Sequence, residues 1–163
     1  MLQEIVNSPL DVTFLNDGRY PRGMRNNNPG NIRKSKSQWK GKIPHSDSKD
    51  RSFEQFGKYW QGVRALVVLL GSYYFKYKLT TIEKVLNKYA PPVENQTFSY
   101  VQQVCKGTGF KARDKFEWSR ENVKLLTREI CRHENGRDPL ISDNLFALVW
   151  LDLVEGGYEN TWK

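Results

Sequence analysis

The spacing of apolar residues separates the chain into two parts near residue 53. Residues 1–52 lack a regular apolar period and are rich in Asn, Gly, Pro and Ser, so we predict loops and short extended segments there. From Phe56 onward, apolar residues return every three or four positions, as on the buried face of a helix. This repeat predicts a long helix over 54–76. Its apolar stripe comprises Trp60, Val63, Val67, Leu70 and Tyr74.

Capping and helix-breaking residues mark the next elements. Thr80 or Thr81 can cap a second helix, which ends before Pro91 because a residue preceding proline disfavours helical geometry. Another helix is predicted over 97–106, and 110–116 is predicted to be a basic loop.

The last third of the chain predicts two helices with different surroundings. A helix over 120–134 carries Glu134 at the end of an apolar stripe. Asn135 and Gly136 end this helix because both accept left-handed geometry. Ser142 can cap the final helix, which has almost no polar positions and is therefore expected to be buried.

Together these elements predict a mainly α (α+β) fold in a single domain, 1–163. The loop-rich lobe, 1–52, is expected to be small and irregular or β-containing, and 53–163 is expected to form the helical core. The cleft between lobe and core is the natural place for a site.

Composition and charge narrow the classes of function. The chain has 163 residues, 38% hydrophobic and 13% aromatic, which excludes a disordered protein. Its longest apolar run is far shorter than the ~20 residues of a membrane span, and the polar N-terminus does not have the pattern of a signal peptide. The net charge of +8 favours a polyanionic partner: nucleic acid, an anionic membrane or the bacterial cell wall. No recognition helix with clustered basic residues occurs, so a specific nucleic-acid partner is not expected.

Cysteine and histidine usage predicts no metal and no cofactor. Cys105 and Cys131 lie in apolar helical segments and are interpreted as core thiols. With His45 and His133 they do not match a familiar metal-ligand spacing, and no glycine-rich phosphate loop occurs.

Glu134 is the first candidate for chemistry. The negative end of its helix and an apolar face both disfavour the ionised carboxylate, so we expect a raised pKa, as a general acid requires. Glycosidic bond cleavage uses such a group to protonate the leaving oxygen. The alternative is a solvated glutamate beyond the stripe. Glu94, in a loop after two prolines, is the second-choice acid.

Several motifs resemble a family of phage virion-associated muralytic proteins. These are RGMRNNNPGNIR at 22–33, SFEQF at 52–56, GVRAL within a helix, and YAPPVENQT followed by Tyr100. Residues 130–139 also resemble the catalytic stretch of lytic transglycosylases. The order of the Asn-rich loop, the aromatic pair and the Tyr-Ala segment is similar to that of flagellar-type peptidoglycan glucosaminidases, although there the glutamate helix comes first. The resemblance therefore implies a lysozyme-like fold, circularly permuted.

What the resemblance implies is cleavage of the β-1,4 bond between N-acetylmuramic acid (MurNAc) and N-acetylglucosamine (GlcNAc), with Glu134 as acid and then base. Hydrolysis and lytic transglycosylation both stay open, and Asp47, Asp50 and Glu54 are unranked candidates for the second carboxylate of a hydrolase. Substrate contacts are expected from Asn26, Asn28 and Asn31, whose amides can bind sugar hydroxyls and acetamido groups, and from Tyr89 and Tyr100.

These expectations also concern where the protein acts and which partners it binds. We expect a monomer that acts on peptidoglycan, in the phage virion with other virion proteins or in the host periplasm or cell wall after delivery. The competing hypothesis is a non-catalytic basic virion protein that binds cell wall or DNA. The catalytic hypothesis requires Glu134 to face a cleft lined by the 26–31 loop and by Tyr89 or Tyr100.

Overall fold

Helices occupy most of the segments in which the apolar spacing predicts them. A computed structural model describes residues 8–162, without the side chains of 159 and 160, so residues 1–7 and 163 of the predicted domain lie outside the described part. Within 8–162 the fold is mainly α, as predicted. The helices are α1 (Arg22–Arg25), α2 (Tyr59–Phe75), α3 (Ile82–Tyr89), α4 (Thr97–Thr108), α5 (Arg120–Asn135), α6 (Asp143–Glu155) and a 3-10 turn (Tyr158–Thr161).

Side-chain hydroxyls cap three helices, two of them as predicted, at Thr81 and Ser142. The side chains of Thr81, Ser119 and Ser142 each accept a hydrogen bond from the backbone N–H three residues later, which satisfies a free donor of the first turn. Gly109 and Gly136 end α4 and α5 with φ of 81° and 66°, left-handed values that glycine adopts without a Cβ clash. The predictions for these helices are therefore confirmed to within two residues at each end.

Helix α2 begins at Tyr59, five residues later than the predicted position 54. Phe53 and Phe56 instead form single antiparallel bridges with Arg33 and Lys42. The backbone N–H of Glu54 donates to the Ile32 carbonyl oxygen at 2.9 Å. Because backbone N–H and C=O groups of residues 53–56 are paired with the lobe, they are not available for a longer helix. Phe56 therefore belongs to the lobe.

Helix α2 runs through the centre of the core and packs against α3, α5 and α6. Glycines allow close approach near both of its ends. A Cβ at Gly62 would overlap the Asn27 carbonyl oxygen, and one at Gly71 would overlap the Trp162 ring. The helix is therefore pressed against the N-terminal lobe near its start and against the C-terminal turn near its end.

Helix α6 is not buried on all sides, which corrects the sequence prediction. Leu145, Phe146, Val149 and Leu153 are buried against the core, whereas Leu151 is 51% and Val154 42% exposed. Because α6 lies on the outside of α2 and contacts it along one face, the apolar residues of its other face lie in solvent. The apolar composition of α6 alone could not show this.

Side-chain amides hold the N-terminal lobe together where a sheet would use its backbone. The Asn28 amide nitrogen donates to the carbonyl oxygens of Ile32 and Glu54, both at 2.9 Å. The Asn27 amide nitrogen donates to the Phe56 carbonyl oxygen at 3.0 Å. Only isolated bridges are present in the described part of the lobe, so it is irregular, and a β-sheet there is not confirmed.

The cysteines differ in environment. Cys131 is fully buried on α5, as predicted for a core thiol. Cys105 is half-buried on α4, where it packs against the core and also lines a surface groove, so the core interpretation holds for it only in part. Within 8–162, no helix has the length and hydrophobicity needed to cross a membrane.

The close contact of Gly62 with the lobe predicts that adding one methyl group there lowers the stability of the protein. We expect Gly62→Ala to lower the free energy of unfolding by about 1–3 kcal/mol, because the new Cβ displaces the Asn27 carbonyl or shifts α2. Gly18→Ala is the matched control, since a Cβ there has no neighbour within 4 Å. Urea unfolding of the two variants measures the difference, and equal stabilities would contradict the close contact.

Candidate active site at the end of helix α5

A cavity of about 290 Å³ lies where the lobe meets the ends of α3 and α5. Its volume is near the lower limit for small-ligand sites. Loop 30–33, the last residues of α3 and the loop after α3 surround it, and Glu134 lies at its wall. The lining residues are Gly30, Asn31, Ile32, Arg33, Phe53, Leu69, Tyr73, Tyr89, Ala90, Glu94, Asn95 and Glu134.

Glu134 contacts the Asn-rich loop directly. The Asn31 amide nitrogen donates to Glu134 Oε1 at 3.0 Å, across 103 positions of sequence. The glutamate side chain is half-buried, and within 8–162 no cationic nitrogen lies within 4 Å of its carboxylate. The structure therefore brings the predicted acid, the Asn loop and Tyr89 to one cavity, as the catalytic hypothesis requires.

The neighbouring residue, Asn135, fixes this meeting point. Its side-chain oxygen accepts from the Met24 backbone N–H at 3.1 Å, and its amide nitrogen donates to the carbonyl oxygens of Pro29 and Cys131, both at 2.8 Å. Asn135 is 9% exposed. One side chain thus joins α1, the Asn loop and the last turn of α5, which sets the position of Glu134 against Asn31.

The two predicted tyrosines have different positions. Tyr89 lines the cavity, and its hydroxyl donates to the Gly30 carbonyl oxygen. Tyr100 is buried behind Glu134, with its hydroxyl 3.5 Å from the Ile130 carbonyl oxygen and its ring stacked on His133. Burial, together with the negative charge of Glu134, raises the pKa of both tyrosines well above the usual value. Both hydroxyls therefore stay protonated. Of the two tyrosines, Tyr89 lines the cavity and can face a ligand, whereas Tyr100 does not line it.

Asn26 and Asn28 do not reach the cavity, which corrects their assignment as substrate contacts. They are 2% and 0% exposed. The Asn26 amide nitrogen donates to Asp50 at 2.9 Å, and its oxygen accepts from Gln55 at 2.9 Å. Amides that are buried and bonded inside the lobe cannot also bind sugar, so of the three asparagines only Asn31 lines the cavity.

Glu94, the second-choice acid, lies on the same cavity wall as Arg33. The two side chains approach to 4.0 Å and are both well exposed, so the ion pair is weak. Asp47, Asp50 and Glu54 do not line the cavity. Glu54 is fully buried between Lys42 at 3.0 Å and His45 at 2.8 Å, which leaves Glu94 as the second carboxylate of the site.

Sequence reasoning missed several residues of the site. Asn135 was assigned only to the helix end, and its clamping role requires knowledge of which loop packs there. Tyr73, Arg33 and Asn95 also line the cavity and were not among the predicted site residues. The gap of four between Leu69 and Tyr73 is a helical spacing that could have marked a second face of α2.

No group of three His, Cys, Asp or Glu residues able to hold a metal occurs in 8–162.

Comparison with known proteins adds a phage relative. No family model matches the chain. It is 34% identical to Protein P5 of Pseudoalteromonas phage PM2 over 127 residues, which cover 76% of this chain and 77% of that protein. The chain belongs to the family of phage protein P5. A bacteriophage context is therefore established at the level of the family.

Asp50 gives a pH-dependent test of the lobe that carries Asn31. It is ion-paired with Arg22 through two contacts of 2.8 and 2.9 Å and also accepts from the Phe53 backbone N–H. These partners hold the pKa of Asp50 well below its usual range. The carboxylate therefore stabilises the fold above the unfolded pKa of about 3.9, and this contribution is lost as pH falls towards the folded pKa.

We expect Asp50→Asn to lower the free energy of unfolding by about 1–3 kcal/mol at pH 7, and by less at pH 3. Asp17→Asn is the control, because Asp17 pairs with Arg19 only two residues away, in a contact whose guanidinium is 83% exposed, and should contribute little. Urea unfolding at both pH values measures the two variants. A loss for Asp50→Asn that does not shrink at pH 3 would contradict this reasoning.

Proposed function

We propose that the protein cleaves the β-1,4 bond between MurNAc and GlcNAc in peptidoglycan, with Glu134 as general acid and then base. The observation that supports this most is the contact of Glu134 with Asn31 inside a cavity that also contains Tyr89. A purely structural glutamate at a helix end does not need such a position. Among residues 8–162, no cationic nitrogen lies within 4 Å of the carboxylate, so no salt bridge occupies it.

Asn31 gives the carboxyl group an orientation. Its amide donates to Oε1, which holds that oxygen as an acceptor. Asn31 itself has φ of 53°, a left-handed value that asparagine tolerates better than most residues. This loop conformation places the amide against Glu134, which makes Asn31 a positioning residue for the acid.

The reaction proceeds in two proton transfers. Glu134 protonates the glycosidic oxygen as the bond from C1 of MurNAc to that oxygen breaks. The resulting carboxylate then takes a proton from the nucleophile, which bonds to C1. The nucleophile is water in a hydrolase and the 6-hydroxyl of the same MurNAc in a lytic transglycosylase, and the proton returned to Glu134 restores the enzyme in both cases.

Glu94 bears on the choice between these reactions. A hydrolase uses a second carboxylate on the opposite side of the scissile bond. Glu94 lines the same cavity and is the second carboxylate available there. It also offers an alternative acid, so the two glutamates must be tested together.

The phage relationship supports action at the bacterial surface. A phage that opens the cell wall needs such an enzyme in the virion or delivered to the periplasm, and we place this protein there. We further propose a lysozyme-like fold in circularly permuted order. In support, the glutamate helix α5 follows the Asn-rich loop in sequence but contacts it in space.

The proposal is tested by exchanging the two glutamates. We expect Glu134→Gln to reduce clearing of a peptidoglycan suspension by about 100-fold or more, because the amide keeps the shape but transfers no proton. Glu121→Gln, on the exposed side of the same helix, is the matched control and should keep full activity. Urea unfolding confirms that each variant is folded.

Other outcomes would overturn the assignment. Activity in Glu134→Gln together with inactivity in Glu94→Gln would move the acid to the loop after α3. If the wild-type chain does not clear peptidoglycan but binds it or DNA, the protein is the non-catalytic virion component.

A further inference from the structure

Two further cavities adjoin the Glu134 cavity at the surface. A second cavity of about 430 Å³ shares Leu69 and Tyr73 with the first. A third, of about 710 Å³, shares Gln38 and Trp39 with the second. The three cavities therefore adjoin one another along a path from Glu134 to the loop at 34–45, and we call the second and third together the lysine groove.

Aromatic rings line the middle of this path. Tyr73, Tyr77 and Trp39 all face the second cavity, and Tyr77 is 60% exposed. The Lys88 ammonium lies 4.7 Å from the Tyr77 ring centre and 5.5 Å from that of Tyr73. Flat apolar rings with a cation beside them suit a ligand that has both apolar faces and negative charge.

The charge of the lysine groove is of one sign. Its lining contains no Asp or Glu, but it contains Lys34, Lys36, Lys42, Lys76, Lys88 and His45. Lys42 is neutralised by the buried Glu54 at 3.0 Å. Within 8–162, no carboxylate oxygen lies within 4 Å of the ammonium groups of the other four lysines. The groove therefore has unpaired positive charge next to a cavity that contains Glu94 and Glu134.

We propose that the lysine groove binds the acidic peptide stems of the glycan strand whose sugars occupy the Glu134 cavity. This inference rests on the proposed function. Each MurNAc carries a peptide with free carboxylates, and a stem on the sugar in the cavity extends along the adjoining surface. A strand without stems keeps only the lactyl carboxylate of each MurNAc, close to the sugar, so the groove makes the protein selective for strands that carry stems.

A nucleic acid fits this arrangement less well. A phosphate backbone following the path would pass Glu94 and Glu134, which repel it. Among the described residues that line their cavity, Arg33 is the one cation, and it lies 4.0 Å from Glu94, whereas the lysines line the two cavities farther along. Peptidoglycan separates its charges in the matching way, with neutral sugars at the glutamates and carboxylates beside them.

The test compares binding of stem-bearing and stem-free strands. The probes are intact peptidoglycan sacculi, the same glycan after an amidase has removed its stems and left one lactyl carboxylate on each MurNAc, and double-stranded DNA, all at one salt concentration. The full chain carries Glu134→Gln so that binding is measured without cleavage. The test variant adds Lys34→Gln, Lys36→Gln and Lys88→Gln. The matched control adds Lys106→Gln, Lys111→Gln and Lys115→Gln, which remove the same charge at exposed positions outside the groove.

We expect the test variant to bind intact sacculi about tenfold more weakly, through loss of several exposed charge contacts, with stem-free glycan binding unchanged. The control should keep its affinity for both glycans. Equal weakening of both glycans, no weakening of either, or an equal effect of the control variant would overturn the inference. A loss confined to DNA binding would also overturn it and assign the groove to nucleic acid.

Failure of the proposed function has a separate signature. If the chain lacking all these substitutions does not clear peptidoglycan, cleavage is wrong, whereas the binding comparison still decides whether the groove recognises stems. If clearing is normal and the binding comparison fails, only the stem site is wrong.

Discussion

The buried amide of Asn135 is the interaction on which the arrangement of the site depends. It bonds at once to the backbone of Met24, Pro29 and Cys131 and so ties the N-terminal lobe to the last turn of α5. A buried polar group that loses a hydrogen-bond partner lowers the stability of the fold considerably. The Asn135 contacts therefore favour one position of the lobe relative to α5. Glu134, the preceding residue, then has to lie against the loop, and Asn31 receives it there.

This constraint explains how an irregular lobe can hold the side chains of the site in fixed positions. Loops move more than sheets unless their backbone groups are bonded. Here Asn27 and Asn28 supply those bonds from their side chains, and Gly62 lets α2 press against the loop they stabilise. As a consequence, the other asparagines of the cluster form hydrogen bonds inside the lobe, and Asn31 is the one that lines the cavity.

The helices and the meeting of Glu134 with the loop were predictable, whereas the roles of individual asparagines were not. The period of three and four residues, with Thr81, Ser119 and Gly136 at helix ends, carries enough local information to define α3 to α5. In a loop, side-chain direction depends on values such as the left-handed φ of Asn27 and Asn31, 51° and 53°, for which no period exists. The start of α2 and the exposed face of α6 depend on which surface covers them, and that is a property of the whole fold.

Cleavage at the MurNAc–GlcNAc bond is tested by mass spectrometry of the fragments released from purified peptidoglycan. We predict soluble disaccharide peptides cut at this bond, with a reducing end if water is the nucleophile or a 1,6-anhydro end if the 6-hydroxyl is. Release of peptides alone, or of no fragment by the folded protein, would contradict cleavage of this bond by Glu134.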